Sequence, residues 1–250
     1  MNQIISFVNQ KGGVSKTTST VNIGAIMAEH GKRVLLIDFD AQGNLSQTLG
    51  LNNFKNTIYE CLIGKASLDE TILHTDFNVD VIPSNINLSN ADTELLQYDN
   101  KELRLKGLIQ GIKSNYDYIL IDCNPNLNLL TINALTASDS FIIPLEASIL
   151  SVHGLNQLIR IVKLVQKKLN PQLKSKGVFL TKVVRTNLNK DFESQLKDIF
   201  GDKLFNSKIH QNIDVVKSQI KGKPLNFFNR RCRAYKDYYN LTMEVMNNYE

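Results

Sequence analysis

Cysteine is scarce in this 250-residue chain: Cys61, Cys123 and Cys232 are the only three. They are scattered, with no pairing or metal-ligand spacing. That excludes a disulfide framework and a cysteine-based metal site, and it suits reduced thiols. No apolar run approaches the ~18 residues of a membrane span. The opening residues, Met1 to Val8, are apolar but few, and they lack the basic leader and small-residue cleavage site of a secretory signal. Linkers, internal repeats and low-complexity stretches are also missing, so one domain over residues 1–250 is expected. Lys and Arg are absent after Lys236, where three acids remain. A membrane-binding terminal helix needs basic residues on its polar face, so this absence argues against one. What is present is ordinary for a globular protein, with 42% hydrophobic and 21% charged residues. That composition can bury a sizeable core and is far from disorder.

The net charge of +5 hides a strong asymmetry. Residues 1–150 hold 10 Lys and Arg against 16 Asp and Glu, whereas residues 151–236 hold 19 against 5. The second stretch is a footprint for an anionic polymer or a membrane surface.

Short apolar runs alternate with helical spacing. Strands are expected at Ile4 to Val8, Arg33 to Asp38, Val79 to Pro83, Tyr116 to Asp122, Ser140 to Pro144 and Gly177 to Thr181. Helices are expected over residues 16–30, closed by Gly31, and over 151–169. A last helix over 232–249 places Tyr235, Tyr238, Tyr239, Thr242, Val245, Met246 and Tyr249 on one face, which suits docking on the core. Continuous apolar strands separated by helices predict an α/β, doubly wound, mostly parallel β-sheet with helices on both faces.

Between the first strand and the first helix lies Lys11-Gly12-Gly13-Val14-Ser15-Lys16-Thr17-Thr18. Two glycines let the backbone approach an anion, and successive N–H groups with the positive helix end face it. All eight residues are candidate ATP-binding residues. Lys16 is placed to reach the β- and γ-phosphates, Thr17 to ligate magnesium directly, and Thr18 to hydrogen-bond the α-phosphate. The strict phosphate-loop pattern fails at two places, where Gln10 and Ser15 replace glycines. A serine forced to φ > 0 at position 15 costs on the order of 1 kcal/mol relative to glycine. Asp38, Asp40 and Asp122 follow the second and fourth expected strands. In a doubly wound sheet these strand ends open on one crevice. Acids gathered there need a cation or a water network, so all three are candidates to hold magnesium through water. Asp40 is also a candidate to orient the attacking water, and Lys16 joins it as a candidate catalytic residue.

The loop, Leu36-Ile37-Asp38-Phe39-Asp40-Ala41-Gln42-Gly43-Asn44 and Tyr118-Ile119-Leu120-Ile121-Asp122-Cys123-Asn124-Pro125 together resemble the ParA/Soj-type partition ATPases. These are P-loop NTPases with a deviant Walker A loop, a class that also contains MinD. The likeness continues through Leu129 to Asp139, Leu164 to Pro171, Arg185-Thr186-Asn187-Leu188 and Gly222-Lys223-Pro224. It implies an ATP- and magnesium-dependent sandwich homodimer in which Lys11 crosses to the partner's phosphates, which adds Lys11 to Lys16 and Asp40 in the catalytic set. It implies non-specific binding of double-stranded DNA, and hydrolysis stimulated by a ParB-type centromere-binding protein. The protein would then segregate a plasmid or chromosome as a cytoplasmic, nucleoid-associated factor. Arg185 matches a DNA-contact arginine of the family. A second such arginine falls on Asp214, with Gln211 nearby, so Lys217, Lys221 and Lys223 are the candidate replacements, joined by Arg230, Arg231 and Arg233. Ala41 and Asn124 stand where the family has proline. With the first strand expected by Gln3, no helix-turn-helix extension is expected before it. Two other readings are a MinD-like membrane-positioning ATPase and a hydrolysis-deficient DNA-coating protein, should Ser15 abolish turnover.

Overall fold

A computed structural model describes residues 2–146, 149–184 and 195–247. Seven strands form one sheet: β1 (Gln3–Phe7), β2 (Val34–Phe39), β3 (Leu73–His74), β4 (Asp80–Ile82), β5 (Tyr118–Cys123), β6 (Ser140–Glu146) and β7 (Lys174–Thr181). Their order is β3-β4-β2-β5-β1-β6-β7. All pairings are parallel except β3 with β4. The two-residue β3 was not expected. It is too short for a period-two pattern, and it exists because β4 offers it an open edge.

Among the described residues, the helices with both ends defined are α1 (Lys16–Glu29), α2 (Asn44–Thr48), α3 (Ile58–Leu62), α4 (Ala91–Glu94), α5 (Arg104–Gln110), α6 (Leu129–Ala137), α7 (Ile149–Lys168), α8 (Ile213–Ile220), α9 (Leu225–Phe228) and α10 (Arg233–Asn247), joined by short 3-10 turns; residues 195–200 are helical too. Alternation along each strand sends successive side chains to opposite faces. Leu35, Ile37, Ile119, Ile121, Ile143 and Leu180 enter one core beneath α3, α5, α6 and α7. Ile5, Phe7, Leu36, Leu120, Ile142 and Phe179 enter the other, with α1 and α10. Both faces of the central strands are therefore covered, which is why they read as unbroken apolar runs. Gly24 lets α1 sit close to the sheet: a Cβ there would lie 2.5 Å from Leu36 Cδ2.

The last helix docks as expected. Tyr238, Leu241 and Val245 are fully buried, and the Tyr238 hydroxyl lies 3.2 Å from Ser19 Oγ on α1. Tyr235, Tyr239 and Met246 flank that face, and Tyr249 lies outside the described residues. Gly31 closes α1 with φ 75°, its N–H donating to the Ala28 carbonyl. Among the described residues, no helix is long and apolar enough to cross a membrane.

Candidate nucleotide site

Parallel register brings the acids together. Asp38 on β2 pairs directly with Asp122 on β5, and Phe7, the last residue of β1, pairs with Asp122 from the other side. The chain leaves β1 into the glycine turn just where these carboxylates end their strands. β6 and β7 brace that turn. Asn9 Nδ2 donates to the Pro144 carbonyl at 2.7 Å, Thr181 Oγ1 donates to the Val14 carbonyl at 3.3 Å, and the Lys11 N–H donates to Asn9 Oδ1 at 2.9 Å. Ser15 closes the turn with φ 66° and ψ 26°, the left-handed conformation a glycine would adopt without strain.

Lys16 is buried, and its Nζ donates to the Asn9 and Lys11 carbonyls at 3.0 and 3.3 Å. Burial pushes its ammonium below the ordinary value, and Asp122 opposes that shift. Asp122 is fully buried, and both of its carboxylate oxygens lack a hydrogen-bond partner among the described residues. Burial first, and then the charge of Asp38, push it well above the usual carboxylate range, while the Thr17 hydroxyl and Lys16 act the other way. Asp38 is differently placed. Its Oδ2 accepts the Ser46 N–H at 2.9 Å and the Ser46 hydroxyl at 2.7 Å, so it braces the start of α2. Burial still pushes Asp38 up to about 6. Asp40 is half-exposed in the cleft and accepts the Gln42 N–H at 3.0 Å, which orders its own turn.

These groups stand along a cleft of about 1210 Å³ lined by Gly12, Gly13, Lys16, Thr17, Thr18 and Asp40 on one side. Asn124, Lys182, His210, Asn212 and Gln219 line the other. Space of this order accommodates a nucleotide.

Lys11 does not point freely outward. Its Nζ lies 2.7 Å from Glu146 Oε2, at the end of β6, and Lys11 holds that carboxyl below its usual range. Sequence reasoning missed Glu146 and also Lys182. The Lys182 ammonium lies 3.8 Å from where a Gly13 Cβ would stand, and its own φ is 52°. Its signal was its place, one residue beyond a strand that ends on the crevice.

Of the candidate DNA contacts, Lys217, Lys221 and Lys223 are exposed on or just after α8. Arg230 is engaged elsewhere, 2.8 Å from Glu29. Arg185 lies outside the described residues.

A doubly wound sheet with a glycine turn, a buried lysine and strand-end aspartates around one cleft defines a P-loop nucleotide-binding protein. Comparison with known proteins agrees. An AAA domain family model matches residues 2–175. The sporulation initiation inhibitor protein Soj of Bacillus subtilis is 44% identical over 99% of this chain and 100% of its own length. The chromosome-partitioning ATPase Soj of Treponema pallidum is 40% identical over 98% of each. A solved structure of cobyrinic acid a,c-diamide synthase from Mycobacterium smegmatis, with bound ATP analog and magnesium, is 29% identical with a TM-score of 0.90, covering 100% of this chain and 96% of that one. The chain belongs to the ParA/Soj family of partition ATPases.

Proposed function

We propose that this chain binds ATP with magnesium in the cleft, hydrolyses it, and uses an ATP-dependent homodimer to hold double-stranded DNA without sequence preference. A ParB-type partner stimulates hydrolysis and release, which segregates a plasmid or chromosome. The observation that carries the reading is Asp122. A fully buried carboxylate whose oxygens find no partner in good hydrogen-bond geometry among the described residues, with only the Thr17 hydroxyl and the Lys16 charge to offset its burial, is unfavourable by itself and suits a hydrated cation. The residues present therefore fit a magnesium nucleotide. When bound, magnesium supplies positive charge to neutralise the phosphate oxygens.

Thr17 would offer magnesium a direct oxygen, and Asp122 would hold it through water. Asp38 contributes less, because Ser46 already occupies one of its oxygens. The Lys16 ammonium exchanges two backbone carbonyls for the β- and γ-phosphates. The turn N–H groups of Gly12, Gly13 and Val14 cradle the same anion. Asp40, at the half-exposed edge of the cleft, orients water for attack on the γ-phosphorus. Lys11 reaches the phosphates of a second copy once it leaves Glu146, so formation of the dimer exchanges one carboxylate partner for a more highly charged one.

The synthase likeness supports the same fold and cleft. Its 29% identity stands below the 44% and 40% of the Soj relatives, so partition is the activity we adopt.

The test compares wild type with Lys11→Ala and Asp40→Ala. Lys11→Ala is expected to lose ATP-dependent dimerisation, measured by light scattering, together with DNA binding. Asp40→Ala is expected to keep both and to release no phosphate. ATP-dependent dimers and unaltered DNA binding in Lys11→Ala would overturn the proposed switch.

A further inference from the structure

Helix α8 is thinly attached. Of its eight residues only Ser218 is buried, and Ile213, Val216 and Ile220 are 63%, 48% and 77% exposed. Asn212 caps its start by accepting the Asp214 N–H at 2.8 Å, a contact local to the helix. Val215 packs against the core shared with α1 and α10. Segments with so little buried surface still open and close at low cost, so one further tether has leverage on them.

One side chain ties α8 to the phosphate loop. Gln219 Nε2 donates to Thr18 Oγ1 at 3.0 Å. Thr18 is itself fixed within α1, where its carbonyl accepts the Asn22 side-chain amide at 2.8 Å. Asn22 Oδ1 then accepts the Leu225 N–H at 2.8 Å, which pins the start of α9 just beyond α8. The far end of the segment is therefore held to α1 whatever occupies the cleft. Gln219 is different, because its partner is a hydroxyl that lines the cleft.

A hydroxyl has one hydrogen and two acceptor positions. Gln219 uses an acceptor position of Thr18. That leaves the Thr18 hydrogen free to be donated to an anion in the cleft. The two bonds do not compete. They form a chain from Gln219 through Thr18 to a phosphate oxygen, and consecutive bonds of this kind polarise and strengthen one another. The Gln219 amide gives an N–H to Thr18 here; a carboxylate in its place has no hydrogen to give and can only take the one that Thr18 would donate to the anion.

We propose that Gln219 is a positioning residue that relays phosphate occupancy at Thr18 to α8, and thereby orders the surface carrying Lys217 and Lys221. The relay rests on the reading above, in which Thr18 binds a nucleotide phosphate and the lysines of this helix meet DNA. Phosphate in the cleft tightens the Thr18–Gln219 bond, and α8 becomes more ordered. The same linkage makes a ligand on α8 favour phosphate in the cleft, since coupling between two sites is reciprocal.

The experiment is hydrogen–deuterium exchange of the peptide spanning 213–221, without nucleotide and with ADP and magnesium. ADP carries the α-phosphate and lacks the γ-phosphate, which keeps dimerisation out of the measurement. In wild type, ADP is expected to slow exchange about threefold, the scale of a fractional strengthening of one existing hydrogen bond. In Gln219→Ala, slowing is expected to stay within twofold, with ADP affinity within about threefold of wild type. Gln219→Glu, at saturating ADP, is expected to lose the ADP-dependent slowing as Gln219→Ala does while binding ADP more weakly through its added charge, and it covers the case in which the alanine variant folds poorly. Equal slowing in wild type and both variants would overturn the relay, as would no slowing in a wild-type protein that binds ADP. DNA affinity with and without an ATP analogue is measured on the same samples. If no sample binds DNA while exchange behaves as expected, the relay stands and the DNA reading of this surface fails. If wild type does not bind ADP, both fail.

Discussion

Ser15 shows how one residue departs from a pattern without losing the structure that the pattern describes. The turn needs a left-handed residue, and serine adopts φ 66° there. Relieving that strain in Ser15→Gly should raise stability by about 1 kcal/mol, read from urea denaturation. A variant no more stable than wild type would show that the loop carries no strain at this position. Asp38 makes a second prediction at this scale. Its carboxyl titrates near 6 in the folded protein against an ordinary 3.8. Below the lower value both states are protonated, and the group contributes nothing. Between the two, the folded protein keeps a proton that the unfolded chain has lost, so stability falls as pH rises. Above about 6 the loss is complete, on the order of 3 kcal/mol. Asp38→Asn, free of nucleotide and metal, should flatten stability between pH 4 and 6.5, as followed by denaturation at a series of pH values. A slope equal to wild type would assign the pH dependence to other groups, Asp122 first.

At the scale of elements, α10 locks α1 and hence the phosphate loop. Tyr238 is fully buried against α1 and meets Ser19. Tyr238→Phe should cost about 1 kcal/mol, the loss of one hydrogen bond. Leu241→Ala should cost about 2–5 kcal/mol through the cavity it leaves. Calorimetric melting separates the two, and similar shifts for both would contradict tight packing at Leu241. This docking was legible in the sequence because aromatic and aliphatic residues recur at helical spacing. The edge strand β3 was not legible, since two residues carry no periodicity. Glu146 was not legible either. Its meeting with Lys11 depends on β6 lying next to β1, a neighbour relation that connects residues 135 positions apart.

Across the whole molecule, charge is divided between an acidic half that carries the phosphate loop and the strand-end aspartates and a basic half that includes α8. Each lysine that neutralises a DNA phosphate adds about 0.9 to the dependence of log affinity on log salt. Replacing Lys217, Lys221 and Lys223 by glutamine should therefore flatten that slope by up to about 2.7 and leave ATP affinity unchanged. Fluorescence anisotropy with labelled duplex over a salt series measures it. An unchanged slope would take this segment out of the DNA surface.

The sequence by itself determined the alternation of strands and helices, the phosphate loop and the three strand-end acids. These signals are local: burial on both faces makes apolar runs, and an anion turn needs small residues before a helix. Tertiary structure alone decided how the acids divide their work. Asp38 and Asp122 look equivalent in the sequence and pair in register, yet Ser46 satisfies the first while the second is left with no partner among the described residues. It also decided that Lys11 rests on Glu146 and that Gln219 rests on Thr18. Both contacts join segments far apart in the chain, and only the packing of strands and helices brings them within hydrogen-bond reach.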